Sequence, residues 1–118
     1  MPSERRTLAL QDIRDNGRLA QDFLGDLTLP AFRADRRTLY AVARCLEIVS
    51  EAARRLPTEI RERHPNLPWR AIMDVGNFRR HDYDNMSAAP VWRAVQVSLP
   101  PMLEIIDAEI AVLPPPTT

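Results

Sequence analysis

The sequence predicts an all-α fold: an antiparallel bundle of four to five helices in one domain over residues 1–113, followed by a disordered Pro-rich tail over 114–118. Three observations lead there. Apolar residues return every three or four positions along most of the chain, the spacing of one helix face. No run alternates β-branched and polar residues around a hairpin turn. Prolines and glycines stand mostly between the apolar stripes, where helices stop.

The elements follow in order. Leu10, Ile13, Gly17, Ala20 and Leu24 draw the first stripe and predict a helix from about residue 5 to 24. Gly25 then stands where a helix end favours a residue without a Cβ. A short connection holding Pro30 comes next. Asp35 is the expected N-cap of a second helix with the stripe Leu39, Val42, Ala43, Leu46, Val49, Ala53 and Leu56. Pro57 closes it, because the residue before a proline is pushed out of the helical region. Pro57-Thr58-Glu59 begins a short helix that ends before Pro65, and residues 64–68 read as a loop.

With Pro68 at its first position, a helix is expected from Trp69 to about Arg80, its apolar side made by Trp69 and Ile72. Asp82 to Ala89 is polar and turn-like. The last helix begins at Pro90 and carries Val91 or Trp92, then Val95, Leu99, Leu103, Ile106, Ile110 and Leu113. Pro100-Pro101 falls inside that stripe and should kink or break it, since each proline lacks a backbone donor and crowds the preceding turn.

Composition narrows the chemistry. The 118 residues carry sixteen basic and sixteen acidic side chains, and every basic one is arginine. The absence of lysine excludes a P-loop lysine and Schiff-base catalysis. Three glycines, at 17, 25 and 76, cannot build a phosphate loop. One cysteine, Cys45, excludes an internal disulfide and a multi-cysteine metal site. The sequence calls for no metal and no cofactor. It shows no export signal or apolar membrane span, so a reducing cytoplasm is the expected location.

The zero net charge argues at first against nucleic acid, but it is unevenly spread. Residues 1–32 sum to −1, residues 33–81 to +5 and residues 82–118 to −4. The basic block ends at His81, inside the densest polar cluster, Asp74 to Tyr83. Asn77 and His81 are four apart and share a helix face, as do Arg79 and Tyr83. Arginine clamps phosphate with a planar fork, and histidine moves a proton near neutral pH. Cleavage of RNA by its own 2′-hydroxyl needs little more than a base, an acid and a cation on the phosphate. The same residue types also suit a plain helix end, with arginine and histidine complementing the last carbonyls.

The wording of these residues resembles a known family. Pro68-Trp69-Arg70-Ala71-Ile72, then Gly76-Asn77, then His81-Asp82-Tyr83 is similar to the HepT-like toxin branch of the HEPN superfamily. Arg44 to Ala53 resembles that family's second helix, and Val91-Trp92 with Leu99-Pro100 its last. The resemblance runs from about residue 8 to 113. It implies an all-α bundle that dimerises through its motif helices, and a metal-independent ribonuclease with a composite site across the dimer. It implies the toxin of a bacterial toxin–antitoxin pair, whose partner is a minimal nucleotidyltransferase antitoxin. In some such systems the antitoxin adds AMP to the motif tyrosine. By position, His81 matches the motif histidine, Asn77 the common asparagine and Tyr83 the modifiable tyrosine.

One position departs. The motif arginine belongs five residues before the histidine, and Gly76 stands there. Arg80 is the nearest substitute and Arg79 the next; on an ideal helix Arg80 lies about 40° around from position 76. Two readings stay open: a ribonuclease with a shifted arginine, and a dimeric module that has lost catalysis and binds a nucleotidyltransferase or RNA. Elsewhere, Glu51 is expected to pair with Arg55 along its helix, while the resemblance would place it near the Arg/His cluster. Cys45 is expected as a small core residue, and Trp69 and Trp92 as core or interface anchors.

Overall fold

The computed structural model describes residues 2–76 and 87–114. Its elements are α1 (Pro2–Leu24), α2 (Leu29–Ala34), α3 (Arg36–Arg55), α4 (Thr58–Arg63), α5 (Trp69–Val75), α6 (Ala88–Arg93), a π turn (Ala94–Ser98) and α7 (Leu99–Ala111). No strand occurs among the described residues. The all-α reading holds. Helix α1 packs along α3 on one side and against α7 on another, and α5 lies on α3. The proline-rich residues 115–118 lie outside the described chain.

The apolar stripes become the core. Leu10, Ile13, Ala20 and Leu24 of α1 meet Val42, Leu46, Val49 and Ala53 of α3, all buried. Gly17 belongs to this seam for a steric reason. A Cβ there would sit 2.7 Å from Cδ2 of Leu103, so the missing side chain lets α7 approach α1 closely. Gly25 ends α1 with φ +55 and donates its N–H to the Gln21 carbonyl at 2.9 Å, as its position predicts. Asp35 caps α3: its carboxylate accepts from the Thr38 N–H at 3.1 Å and from the Thr38 hydroxyl at 2.7 Å. These bonds hold its carboxyl below the ordinary range.

Four expectations need correction. The connection around Pro30 is not a plain loop but α2. Thr28 Oγ1 accepts from the Ala31 N–H at 3.3 Å, and Pro30 occupies the first turn, where no backbone donor is required. Helix α2 seats Phe32, the largest fully buried side chain, in the core. The helix expected over 69–80 is described as Trp69–Val75, with Gly76 as its cap and Pro68 one residue outside its start; residues 77–80 lie outside the described residues. Glu51 does not pair with Arg55; that arginine reaches across to Asp12 of α1 at 2.9 Å. The surroundings of α3 thus outcompete a weak pair along its own surface.

The fourth concerns only the form of the break at Pro100-Pro101. The α-helix is interrupted there as expected, between Arg93 and Leu99, but the backbone dihedrals stay helical through Arg93, Ala94, Ser98 and Leu99. It widens instead into a π turn, whose far end is closed by the Leu99 N–H on the Ala94 carbonyl. The widened turn moves the carbonyls that the two proline rings would strike, and the prolines become the first turn of α7.

Both tryptophans are framing anchors. Trp69 is buried and donates its indole N–H to the His64 carbonyl at 2.9 Å. Trp92 is half-buried and donates to the Leu27 carbonyl at 3.0 Å. Cys45 is buried, and burial pushes its thiol up, against a smaller lowering by the Arg44 charge.

Candidate functional site

The sequence places its chemistry on Asn77, Arg79, Arg80, His81 and Tyr83, and these lie outside the described residues. What the structure provides is the frame that leads into them: the end of α5, and the faces of α3 and α4 against it.

Helix α5 is short, so its last carbonyls lack partners in the helix and must find them elsewhere. The Met73 carbonyl takes two donors from α3. Ser50 Oγ donates at 2.7 Å and Arg54 Nη2 at 2.8 Å. Ser50 is fully buried, the one polar residue in the core of the described chain, and this bond satisfies it. From α4, Arg61 Nη1 approaches the Met73 sulfur at 3.7 Å. Two arginines on two elements therefore meet at one residue, three positions before Gly76. Cation and helix C-terminus are also electrostatically matched.

Gly76 is buried at this junction. A Cβ built on it would overlap Ser50 Cβ and lie 2.5 Å from the Leu46 carbonyl oxygen. Part of that obstacle is backbone, which cannot swing aside. The end of α5 is pressed so closely onto α3 that position 76 admits no side chain in this arrangement. The glycine at position 76 thus has a packing cause.

A second polar knot lies away from this end. Glu109 of α7, its side chain 11% exposed, accepts from Arg63 Nη2 at 2.8 Å and Nε at 3.3 Å, and from His64 Nε2 at 2.8 Å. A carboxylate only accepts, so Nε2 carries the His64 proton. Burial works to raise the Glu109 pKa, but the hydrogen bonds from His64 and Arg63, with their charges, outweigh it and hold the carboxyl below its usual range. The knot ties α7 to the end of α4.

Sequence reasoning missed Ser50, Arg54 and Arg61. Ser50 carried a signal, a hydroxyl among the apolar positions of α3. The two arginines carried none, because only the fold brings them to Met73. Among the described residues no group of three or more His, Cys, Asp or Glu is placed to hold a metal, and no helix is long and apolar enough to cross a membrane.

The fold is an all-α bundle, consistent with the HEPN kind. A family model described as Ribonuclease HepT-like matches residues 13–109, and the chain belongs to that family. It is 30% identical over 91 residues to "Probable ribonuclease HepT" of Thermococcus cleftensis, covering 77% of this chain and 83% of the relative. It is 29% identical over 107 residues to "Putative RNase MJ0127" of Methanocaldococcus jannaschii, covering 91% and 88%. Another protein of that organism, "Putative RNase MJ1380", is 29% identical over 98 residues, covering 83% and 90%. No solved structure matches the chain with significance.

Proposed function

We propose that this protein is a metal-independent endoribonuclease acting at a composite site across a homodimer. The observation that carries the reading is the family match over residues 13–109, which spans Asn77, His81 and Tyr83 in their motif spacing. His81 serves as acid or base, Arg80 and Arg79 bind the scissile phosphate, and Asn77 orients it. The 2′-hydroxyl loses its proton to the base and its oxygen attacks phosphorus. The bond to the 5′-oxygen breaks, and that oxygen takes a proton from the acid. The products are a 2′,3′-cyclic phosphate and a 5′-hydroxyl, and no redox change occurs.

The biological setting we propose is a cytoplasmic bacterial toxin held in check by a minimal nucleotidyltransferase antitoxin. That partner transfers AMP from ATP to the Tyr83 hydroxyl, releasing pyrophosphate. A phosphate-bearing group beside His81 would then occupy the site that the RNA phosphate needs. Intact mass after co-expression with the neighbouring gene should show one AMP, absent in Tyr83→Phe.

A second reading, a dimeric module that binds RNA or a nucleotidyltransferase without cleaving, has one specific support. Gly76 is sealed against Ser50 and Leu46, so the motif arginine has no room. The two part on one assay. The purified full chain, in excess chelator, should cleave single-stranded RNA, and His81→Ala should abolish cleavage. Unchanged RNA with the wild type would overturn the ribonuclease reading in favour of the module. Gly76→Arg is not a clean restoration test, since it first breaks the packing of α5.

A further inference from the structure

We propose that Arg54 of α3 and Arg61 of α4 form a phosphate-binding pair at the end of α5, and supply positive charge where Gly76 has none. The proposal rests on the RNA-directed reading above and extends it to residues outside the motif.

Four observations carry it. Arg54 and Arg61 come from different helices and converge on Met73, three residues before Gly76. Neither has a carboxylate partner among the described residues, whereas Arg6, Arg18, Arg55 and Arg63 each hold one on another element. Among the described residues, then, no carboxylate neutralises their charge. Arg54 is exposed, yet its guanidinium is held by the Met73 carbonyl through Nη2. An arginine fork has five N–H donors, and one fixed contact orients the rest before a ligand arrives, which lowers the entropy lost on binding. Finally, the seal at Gly76 moves the requirement for a cation off that position, and these are the arginines at the same end of α5.

The chemistry selects the ligand. A planar fork matches phosphate oxygens, and two forks from neighbouring helices suit successive phosphates of one strand. The competing role is purely structural, a staple on the end of α5.

The test uses the full chain and a short fluorescein-labelled single-stranded RNA with 2′-O-methyl groups, which cannot be cleaved. Anisotropy gives the affinity from about 50 to about 200 mM salt, and the slope of log K against log salt counts phosphate contacts at roughly 0.7 each on single strands. R54Q/R61Q should weaken binding about tenfold or more at the low-salt end and flatten the slope by roughly 1.4. R54K/R61K should keep most of the slope, because the charge stays. Arg93→Gln, outside the basic block, should match the wild type. A wild type that does not bind, a Gln pair with unchanged slope and affinity, or a Lys pair that loses as much slope as the Gln pair would each overturn the proposal.

Cleavage of unmodified RNA separates the two claims. If the chain binds with the expected slopes but does not cleave, the pair stands and the ribonuclease reading fails. If His81-dependent cleavage is present while the Gln pair changes neither slope nor KM, the ribonuclease reading stands and the pair fails. Both holding predicts a raised KM with kcat little changed.

Discussion

Two glycines show how the same residue type answers different neighbours. Gly76 faces the Leu46 carbonyl and Ser50 Cβ, while Gly17 faces only the branched end of Leu103. We predict that Gly76→Ala costs about 2–3 kcal/mol by overpacking, read as a lowered urea midpoint with unchanged slope. Gly76→Ala combined with Ser50→Gly should recover only part, because the Leu46 carbonyl stays in place. Gly17→Ala should fall within about 1 kcal/mol of the wild type, since a leucine methyl can rotate away and alanine gains helix propensity. Equal losses at both glycines would refute this contrast. Glu109 gives the pH counterpart. Its folded pKa lies below the unfolded value of roughly 4.3. Its contribution is therefore complete above that value and is lost as pH falls through the folded pKa. Between pH 5 and pH 3, on the order of that window, the wild type should lose more stability than Glu109→Gln does, by urea titration at each pH. A parallel decline in both would remove Glu109 from the acid response.

At the scale of elements, the π turn makes a sharper prediction than any single side chain. It adds one residue to the turn before Pro100, and Val97 within it is 62% exposed. Deleting Val97 should close the turn to an ordinary helix while keeping Val91 and Val95 in register with Leu99 and Met102. The proline rings would then strike the carbonyls four residues back, at a cost of about 3 kcal/mol or more. In a Pro100→Ala/Pro101→Ala background the same deletion should cost less than about 1 kcal/mol, by thermal melting followed in circular dichroism. A deletion equally harmful in both backgrounds would show that the prolines do not cause the π turn. The prolines were legible in the sequence as a disturbance, but its form was not, because the answer depends on the register that the core imposes on both sides. The stripes of α1, α3 and α7 were legible because burial follows period. Pro30 misled because a proline that breaks a helix interior also starts one when Thr28 stands two residues ahead. Gly76 stood out in the sequence, but its packing cause was hidden. Leu46 and Ser50 are distant in sequence and meet it only in the fold. Arg55 likewise chose Asp12 over Glu51 for reasons of tertiary approach.

At the scale of the whole molecule, a neutral sum hides a basic block and an acidic C-terminal third. Several arginines of the block are consumed in joining helices: Arg55 to Asp12, Arg63 to Glu109. The exposed Arg55–Asp12 pair is worth about 0–1 kcal/mol and is screened by salt. What remains for RNA is local, and it is arginine throughout. That choice has a consequence for pH. The sequence pI is about 6.7, so the molecule turns net negative above neutrality, and a field governed by total charge would weaken RNA binding steadily there. Lysine contacts would fail as pH nears roughly 10.4, whereas arginine stays charged well above that. Affinity for 2′-O-methyl RNA should therefore vary less than about twofold between about pH 8 and about pH 10 at fixed salt. Anisotropy titrations across that interval check it. A fall beyond about tenfold would locate the binding charge in groups that titrate there, and the basic block could then not be the RNA surface.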